Sequence, residues 1–265
     1  MKNIRAMVVG GLAGCVVFAA GAVFAGGAGP GGPDLSCVSI RGGEFTMGSR
    51  DGAADEQPRS EAVGDFRLGR CEVTVEEYAE YLNSAPAVPA PPPVQIARRM
   101  GRYRPRWSAH GKPVACVSYD AAAAYCRWLS AKSGCRVRLP SEAEWEFAAR
   151  GGISQAPFPW GWGDAKGRAC FAEAGPRRVG SFDPNPCGRC DAAGNVFEWC
   201  ALPAGQETNA MAVARGGSWA ERDAAYLRVF QRSRFRRDYR DADVGFRILM
   251  EPPAETRDGK PDPLP

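Results

Sequence analysis

The segment Asp191 to Cys200 (DAAGNVFEWC) places two carboxylates, two aromatic rings and a glycine within one short run. Gly194 can turn the backbone sharply because it takes positive φ without strain. Such a turn lets Asp191 and Glu198 converge, with the carbonyls of Gly194 and Val196 between them. Several hard oxygens around a small loop suit Ca²⁺. From Val196 to Trp199 the residues alternate, as on a strand with one buried face. The same run also reads as a plain turn between two strands, with an exposed acid at each end, and the segment alone leaves both readings open.

Three other residue groups bear on chemistry. His110 is the sole histidine and sits in a basic loop, so a Ser-His-Asp arrangement is not expected. Of ten cysteines, Cys15 lies in the N-terminal segment; the others are Cys37, Cys71, Cys116, Cys126, Cys135, Cys170, Cys187, Cys190 and Cys200. Cys170, Cys187, Cys190 and Cys200 could form a Cys₄ zinc site, but an exported chain favours disulfides. Their connectivity is not readable, and the odd count leaves one thiol over. Cys187-Gly188-Arg189-Cys190 reads as a redox pair or, better, a structural bridge, because no helix-forming sequence follows to lower a thiol pKa. Third, Leu227 to Arg247 is crowded with arginines: Arg228, Arg232, Arg234, Arg236, Arg237, Arg240 and Arg247, against Asp238, Asp241 and Asp243. Their planar forks suit carboxylate, sulfate or phosphate. Trp219, Tyr226 and Phe230 add flat surface for a peptide or sugar. About half of these arginines are expected to pair locally or face solvent, as surface ion pairs commonly do.

The elements that would position these groups belong to a loop-rich α+β chain. The 265 residues include 32 glycines and 22 prolines, and long helical periods are few. A net charge of +4 implies no polyelectrolyte partner, and nucleic acid is not expected. Residues 1–25 read as a signal peptide, with Lys2 and Arg5 before an apolar run and cleavage expected before Gly26. Two rivals are a lipoprotein box ending at Cys15 and a retained membrane anchor. All three export the domain to the periplasm or beyond, and only the rivals attach it to a membrane. Residues 26–35 form a Gly/Pro linker. The folded domain is expected over 36–250, and 251–265, rich in proline, as a disordered tail.

Within the domain, Glu44–Gly48 and Phe66–Val73 read as strands, with Ser49–Glu61 a loop between them. Thr74-Val75-Glu76-Glu77 and Ser141-Glu142-Ala143-Glu144 are capping boxes that open helices. Ser118 caps a third helix that stops at Gly134, with Ala122, Tyr125, Cys126 and Leu129 inward. Ala85–Val94 is too proline-rich for either regular structure. Arg98–Trp107 reads as a solvated loop, Pro113–Val117 as a short strand, and Val244–Leu249 as the last strand.

Taken in order, GGEFTMGS (Gly42–Ser49), EVTVEEY (Glu72–Tyr78), VSYDAAAAYCRWL (Val117–Leu129), RLPSEAEWEFAARGG (Arg138–Gly152), FPWG (Phe158–Gly161), DAAGNVFEW (Asp191–Trp199), RGGSW (Arg215–Trp219) and GFRI (Gly245–Ile248) resemble the formylglycine-generating enzyme family, also called sulfatase-modifying factor domains. The resemblance spans roughly Ser36 to Leu249. It implies a variant of the C-type-lectin fold, a structural Ca²⁺ held by Asp191, Gly194, Val196 and Glu198, and a substrate groove lined by Trp219, Tyr226, Arg228, Phe230 and Arg232. A second Ca²⁺ site of the family begins with an asparagine where Cys170 stands here, and is not expected.

Catalytic members of that family oxidise a cysteine in a sulfatase to formylglycine, using O₂ and a copper ion held by two thiolates, ligands that suit Cu(I). The resemblance places those thiol positions on Ala224 and Val229, and no cysteine follows Cys200. Copper is therefore not expected and no catalytic residue is assigned. The three-histidine iron site of ergothioneine-forming relatives cannot be built from one histidine. The resulting expectation is an exported domain that binds a peptide, glycan or anionic partner, or assists maturation. The alternative is a divergent oxidase or maturation enzyme, since relatives without the thiols act in periplasmic siderophore maturation; formylglycine generation itself is the remaining one.

Overall fold

Three helices begin at the caps expected for them: α1 (Val75–Ser84), α2 (Tyr119–Ser133) and α3 (Glu142–Arg150). The Thr74 hydroxyl accepts the Glu77 N–H while the Glu77 carboxylate accepts the Thr74 N–H. Ser141 and Glu144 repeat the exchange on α3. Such a cap stabilises a short helix by ~1 kcal/mol. Gly134 and Gly151 end α2 and α3 in the left-handed conformation. The structure is a computed structural model that describes residues 36–251 except 86, 89 and 207–209. The expected signal peptide, linker and all but the first residue of the tail lie outside the described residues, which belong to one unit, Pro33–Pro265. Among the described residues, no helix is long and apolar enough to cross a membrane.

Among the described residues there are also twelve short strands: β1 (Cys37–Ile40), β2 (Gly43–Met47), β3 (Arg59–Val63), β4 (Phe66–Gly69), β5 (Ile96–Arg99), β6 (Arg102–Pro105), β7 (Val137–Arg138), β8 (Phe197–Trp199), β9 (Met211–Arg215), β10 (Arg232–Arg236), β11 (Val244–Gly245) and β12 (Leu249–Met250). One sheet has the order β1-β4-β12-β7 and a second β10-β9-β8-β11; β2-β3 and β5-β6 are separate hairpins. The last strands of the chain therefore pair with early ones, Leu249 with both Leu68 and Arg138. This long-range closure brings Arg247, between β11 and β12, into the middle of the molecule. The main core lies between α1, α2 and the second sheet, with Tyr78, Tyr125, Leu129, Trp199 and Phe246 within it. Ala122, Tyr125, Cys126 and Leu129 face inward, as the helical spacing requires.

Several local expectations change. Arg98–Trp107 is not a loop but most of the β5-β6 hairpin, whose two-residue turn has positive φ at Met100 (49°) and Gly101 (79°). That turn normally carries Asn-Gly, so a methionine there hid it. Ser49–Glu61 includes the start of β3, which pairs with β2. Pro113–Val117 contributes only a bridge from Pro113 to Thr74. β8 is buried on both faces rather than one: Phe197, Glu198 and Trp199 are all inside.

Candidate functional site

The turn at Gly194 forms as its sequence requires. Its φ is 75°, and a Cβ there would sit 2.3 Å from the Cys170 carbonyl oxygen. Asp191 and Asn195 also take positive φ. The turn feeds β8, so Glu198 enters the interior at 1% exposure.

Glu198 meets nitrogen there. Its Oε1 accepts from Arg247 Nη2 (2.6 Å), and its Oε2 from Arg247 Nε (2.5 Å), Trp145 Nε1 (2.7 Å) and Arg189 Nη2 (3.1 Å). Arg189 also lies over the Trp145 ring, 4.2 Å from its centroid. Burial raises the Glu198 pKa, but Arg247 and then Arg189 outweigh it and hold the carboxyl below its ordinary value. Burial, then Arg247, pulls Arg189 down to about 9. A similar knot lies alongside: Glu146 accepts from Arg150 (2.6 Å), Arg215 (3.0 Å) and the Gly48 N–H (2.7 Å).

The four-residue Ca²⁺ set does not fit this geometry as a whole. A carboxylate held by two guanidiniums and an indole sits in a positive environment that a divalent cation would not enter. The oxygens without partners belong elsewhere. Asp191 Oδ2 accepts the Gly180 N–H (2.5 Å) and Glu72 Oε1 accepts from Asn195 Nδ2 (2.9 Å), while Asp191 Oδ1 and Glu72 Oε2 are buried with no partner. Burial, then the charge of Asp191, pushes the Glu72 pKa well up, and burial also raises Asp191. The residue that sequence reading missed is Glu72, which stood in the EVTVEEY motif as the start of a helix entry.

The five residues expected to line a groove divide. Arg232 is spoken for, bonding Glu142 through Nε (2.5 Å) and Nη2 (2.7 Å) and Asp55 through Nη1 (2.7 Å). Phe230 is buried against Trp145, Ala149 and Cys200. Trp219 is half-buried, with its Nε1 donating to the Ala242 carbonyl. Tyr226 is 44% exposed, and Arg228 is half-buried with its guanidinium 5.9 Å from the Phe230 centroid. Gly217 permits this fit, since a Cβ on it would meet Leu227 Cδ2 at 2.6 Å and the Tyr226 carbonyl oxygen at 2.8 Å. Arg234 pairs with Asp55, Arg236 with Asp238 and Arg237 with Asp120; Arg240 bonds the carbonyls of Cys116 and Pro91. Arg236 thus pairs with an aspartate of its own segment, whereas Arg232, Arg234, Arg237 and Arg247 take carboxylates from distant parts of the chain.

At the two positions where the resemblance placed thiols, Ala224 packs against Ala165, Ala169 and Leu227, and Val229 is fully buried beside Trp145 and Phe230. A recess of ≈ 410 Å³ lies at the FPWG loop, lined by Pro159, Trp160, Arg168, Phe182 and Asp183 among others, and none of the five groove residues lines it. All nine described cysteines are free thiols, so the expected bridges are not seen. Cys187 packs against the β1-β4 cluster, not on Cys190, and no three His, Cys, Asp or Glu residues cluster as metal ligands among the described residues.

The family model for the sulfatase-modifying factor enzyme 1-like domain matches residues 32–252. A serine/threonine-protein kinase pkn1 of Chlamydia pneumoniae is 34% identical over 209 residues, 69% of this chain and 32% of that one. An inactive C-alpha-formylglycine-generating enzyme 2 of Mus musculus is 40% identical over 126 residues, 41% of this chain and 38% of that one. Other relatives are named formylglycine-generating enzyme. PvdO from Pseudomonas aeruginosa superposes with a TM-score of 0.66 at 28% identity, covering 81% of this chain and 94% of that one. The chain thus spans only about a third of the length of the pkn1 and mouse relatives.

Proposed function

The chain belongs to the sulfatase-modifying factor enzyme 1-like family, and from that premise we propose that it is an exported binding or maturation-accessory domain without copper-dependent cysteine oxidation. One observation carries the proposal. The positions on which the resemblance places the family's thiol pair are the aliphatic Ala224 and Val229, the second fully buried in packed hydrocarbon, and no cysteine follows Cys200. An alanine and a valine offer no lone pair to a metal. The name of the mouse relative, an inactive enzyme, agrees with a scaffold that persists without the reaction.

What remains accessible is a small surface. Tyr226 presents a ring, and Arg228 a guanidinium backed by Phe230 and without a carboxylate partner among the described residues. A planar cation beside an exposed ring suits a peptide bearing a carboxylate or sulfate. The test is fluorescence-anisotropy titration of tyrosine-sulfated and aspartate-rich peptides against wild type, Arg228→Ala and Tyr226→Ala. Because a hydrogen bond to a charged group contributes ~1.5–3 kcal/mol, Arg228→Ala is expected to weaken binding roughly tenfold or more, and less at high salt. Equal affinity in wild type and variant refutes this surface as the ligand site.

A second reading is a maturation enzyme acting through other groups. It is favoured by the near-complete coverage of PvdO and by the buried carboxyl pair Glu72–Asp191, whose raised pKa values are of the kind found where protons are moved.

A further inference from the structure

Arg247 ties two segments of the chain together. Its Nη1 donates to the carbonyls of Gly69 (2.9 Å) and Arg70 (3.1 Å), and its Nη2 to those of Cys190 (3.1 Å) and Asp191 (3.3 Å). The Cys190 N–H closes the same junction on the Arg70 carbonyl at 2.9 Å. This register sets Glu72 beside Asp191 and Cys71 beside Cys190, with the two thiols hydrogen-bonded to each other.

We propose that Cys71 and Cys190 are a dithiol–disulfide couple that closes by exchange with a low-molecular-weight disulfide. The two sulfurs are not equivalent. Cys71 is half-buried and lines a recess of ≈ 160 Å³ with Cys37, Glu72, Glu77 and Val179, so it is the sulfur a reagent reaches. Its Sγ lies 3.7 Å from the place a Cβ on Gly180 would occupy, so the absence of a side chain there keeps that flank open. Cys190 is 3% exposed and waits behind it.

The exchange balances in two steps. Cys71 gives up its proton to solvent and attacks one sulfur of the external disulfide, forming a mixed disulfide and expelling a thiolate. That thiolate takes the proton from Cys190, whose sulfur attacks Cys71 Sγ and expels the second thiolate, which is protonated by solvent. Two protein thiols are oxidised and one small disulfide is reduced to two small thiols. Cys187, the nearer cysteine in sequence, is excluded by its packing against Ile40, Phe66 and Leu68.

The experiment treats the reduced full chain with glutathione disulfide, blocks remaining thiols with N-ethylmaleimide and maps tryptic peptides without reduction. Cleavage after Arg70 and Arg189 separates Cys187 from Cys190, and tandem fragmentation between Asp191 and Trp199 distinguishes Cys190 from Cys200, which shares its tryptic peptide. The expected product is one peptide linking Cys71 to Cys190, unchanged in Cys187→Ser, whereas Cys71→Ser leaves Cys190 alkylated. Wild-type protein in which Cys71 and Cys190 are both alkylated, or in which Cys190 is joined to any other cysteine, overturns the proposal; because this arm uses wild type, a variant that fails to fold does not affect it.

Discussion

Arg189, Arg215 and Arg247 are each at most 1% exposed, whereas the side chains of Arg234 and Arg236 are 58% and 72% exposed. Both groups pair with carboxylates at ordinary distances. In the interior, however, each charge was taken from water and is balanced by carboxylates that, for Arg215 and Arg247, arrive from distant parts of the chain. On the surface, a pair such as Arg236–Asp238 joins near neighbours and competes with solvent. The interior arginines therefore hold the fold, and the belt around β10 is mostly a solvated, self-neutralised face. Position decides the role, because residue type is the same in both.

Removing the shared carboxylate tests the first half of this contrast. Glu198→Ala strands Arg247 and Arg189 in the core, and loss of one partner of a buried pair costs ~3–5 kcal/mol. Urea unfolding is expected to show that loss, or no folded protein at all; a loss under ~1 kcal/mol would place the centre of stability elsewhere. Next comes pH. Glu198 has a depressed pKa, so its contribution is present above the ordinary carboxylate value of 4.5 and fades as pH falls below it. Glu72 has a raised pKa, so its contribution is present below 4.5 and is lost as pH rises through its folded value. In chelator-treated protein, Glu72→Gln is thus expected to melt higher than wild type at pH 8, with the gap closing toward pH 4. A variant that melts lower than wild type at pH 8 contradicts the buried carboxyl pair. The smallest effect is expected at the surface, where Arg234→Ala should shift stability by no more than ~0.5 kcal/mol. A larger loss would show that the belt also carries the fold.

Much of the scaffold was legible. The capping boxes at Thr74 and Ser141 and the stop at Gly134 mark α1, α3 and α2, because those signals act within a few residues. Some of the strands that went unread, such as β1, β9 and β10, have edges and partners set by distant chain, as when Arg232 in β10 opposes Arg215 in β9. The site was half legible. Asp191 and Glu198 are both interior, against the open reading of a plain turn with exposed acids, and nothing local says that Glu198 meets Arg247 from the far end of the chain. Glu72 was hidden for the same reason, since its partners Asn195 and Asp191 come from beyond α3. Arg232 looked like a ligand-binding group because its carboxylates, Glu142 and Asp55, lie far away in sequence.

The central claim is that this domain keeps the family scaffold with hydrocarbon where copper would be held. Competitive titration with Cu(I), run together with O₂ consumption on a cysteine-containing sulfatase peptide, measures that claim directly. The account predicts no tightly bound stoichiometric copper and no O₂ uptake above the peptide-free control. One equivalent of Cu(I) held by two sulfurs, with O₂ consumed in proportion to peptide, would contradict it.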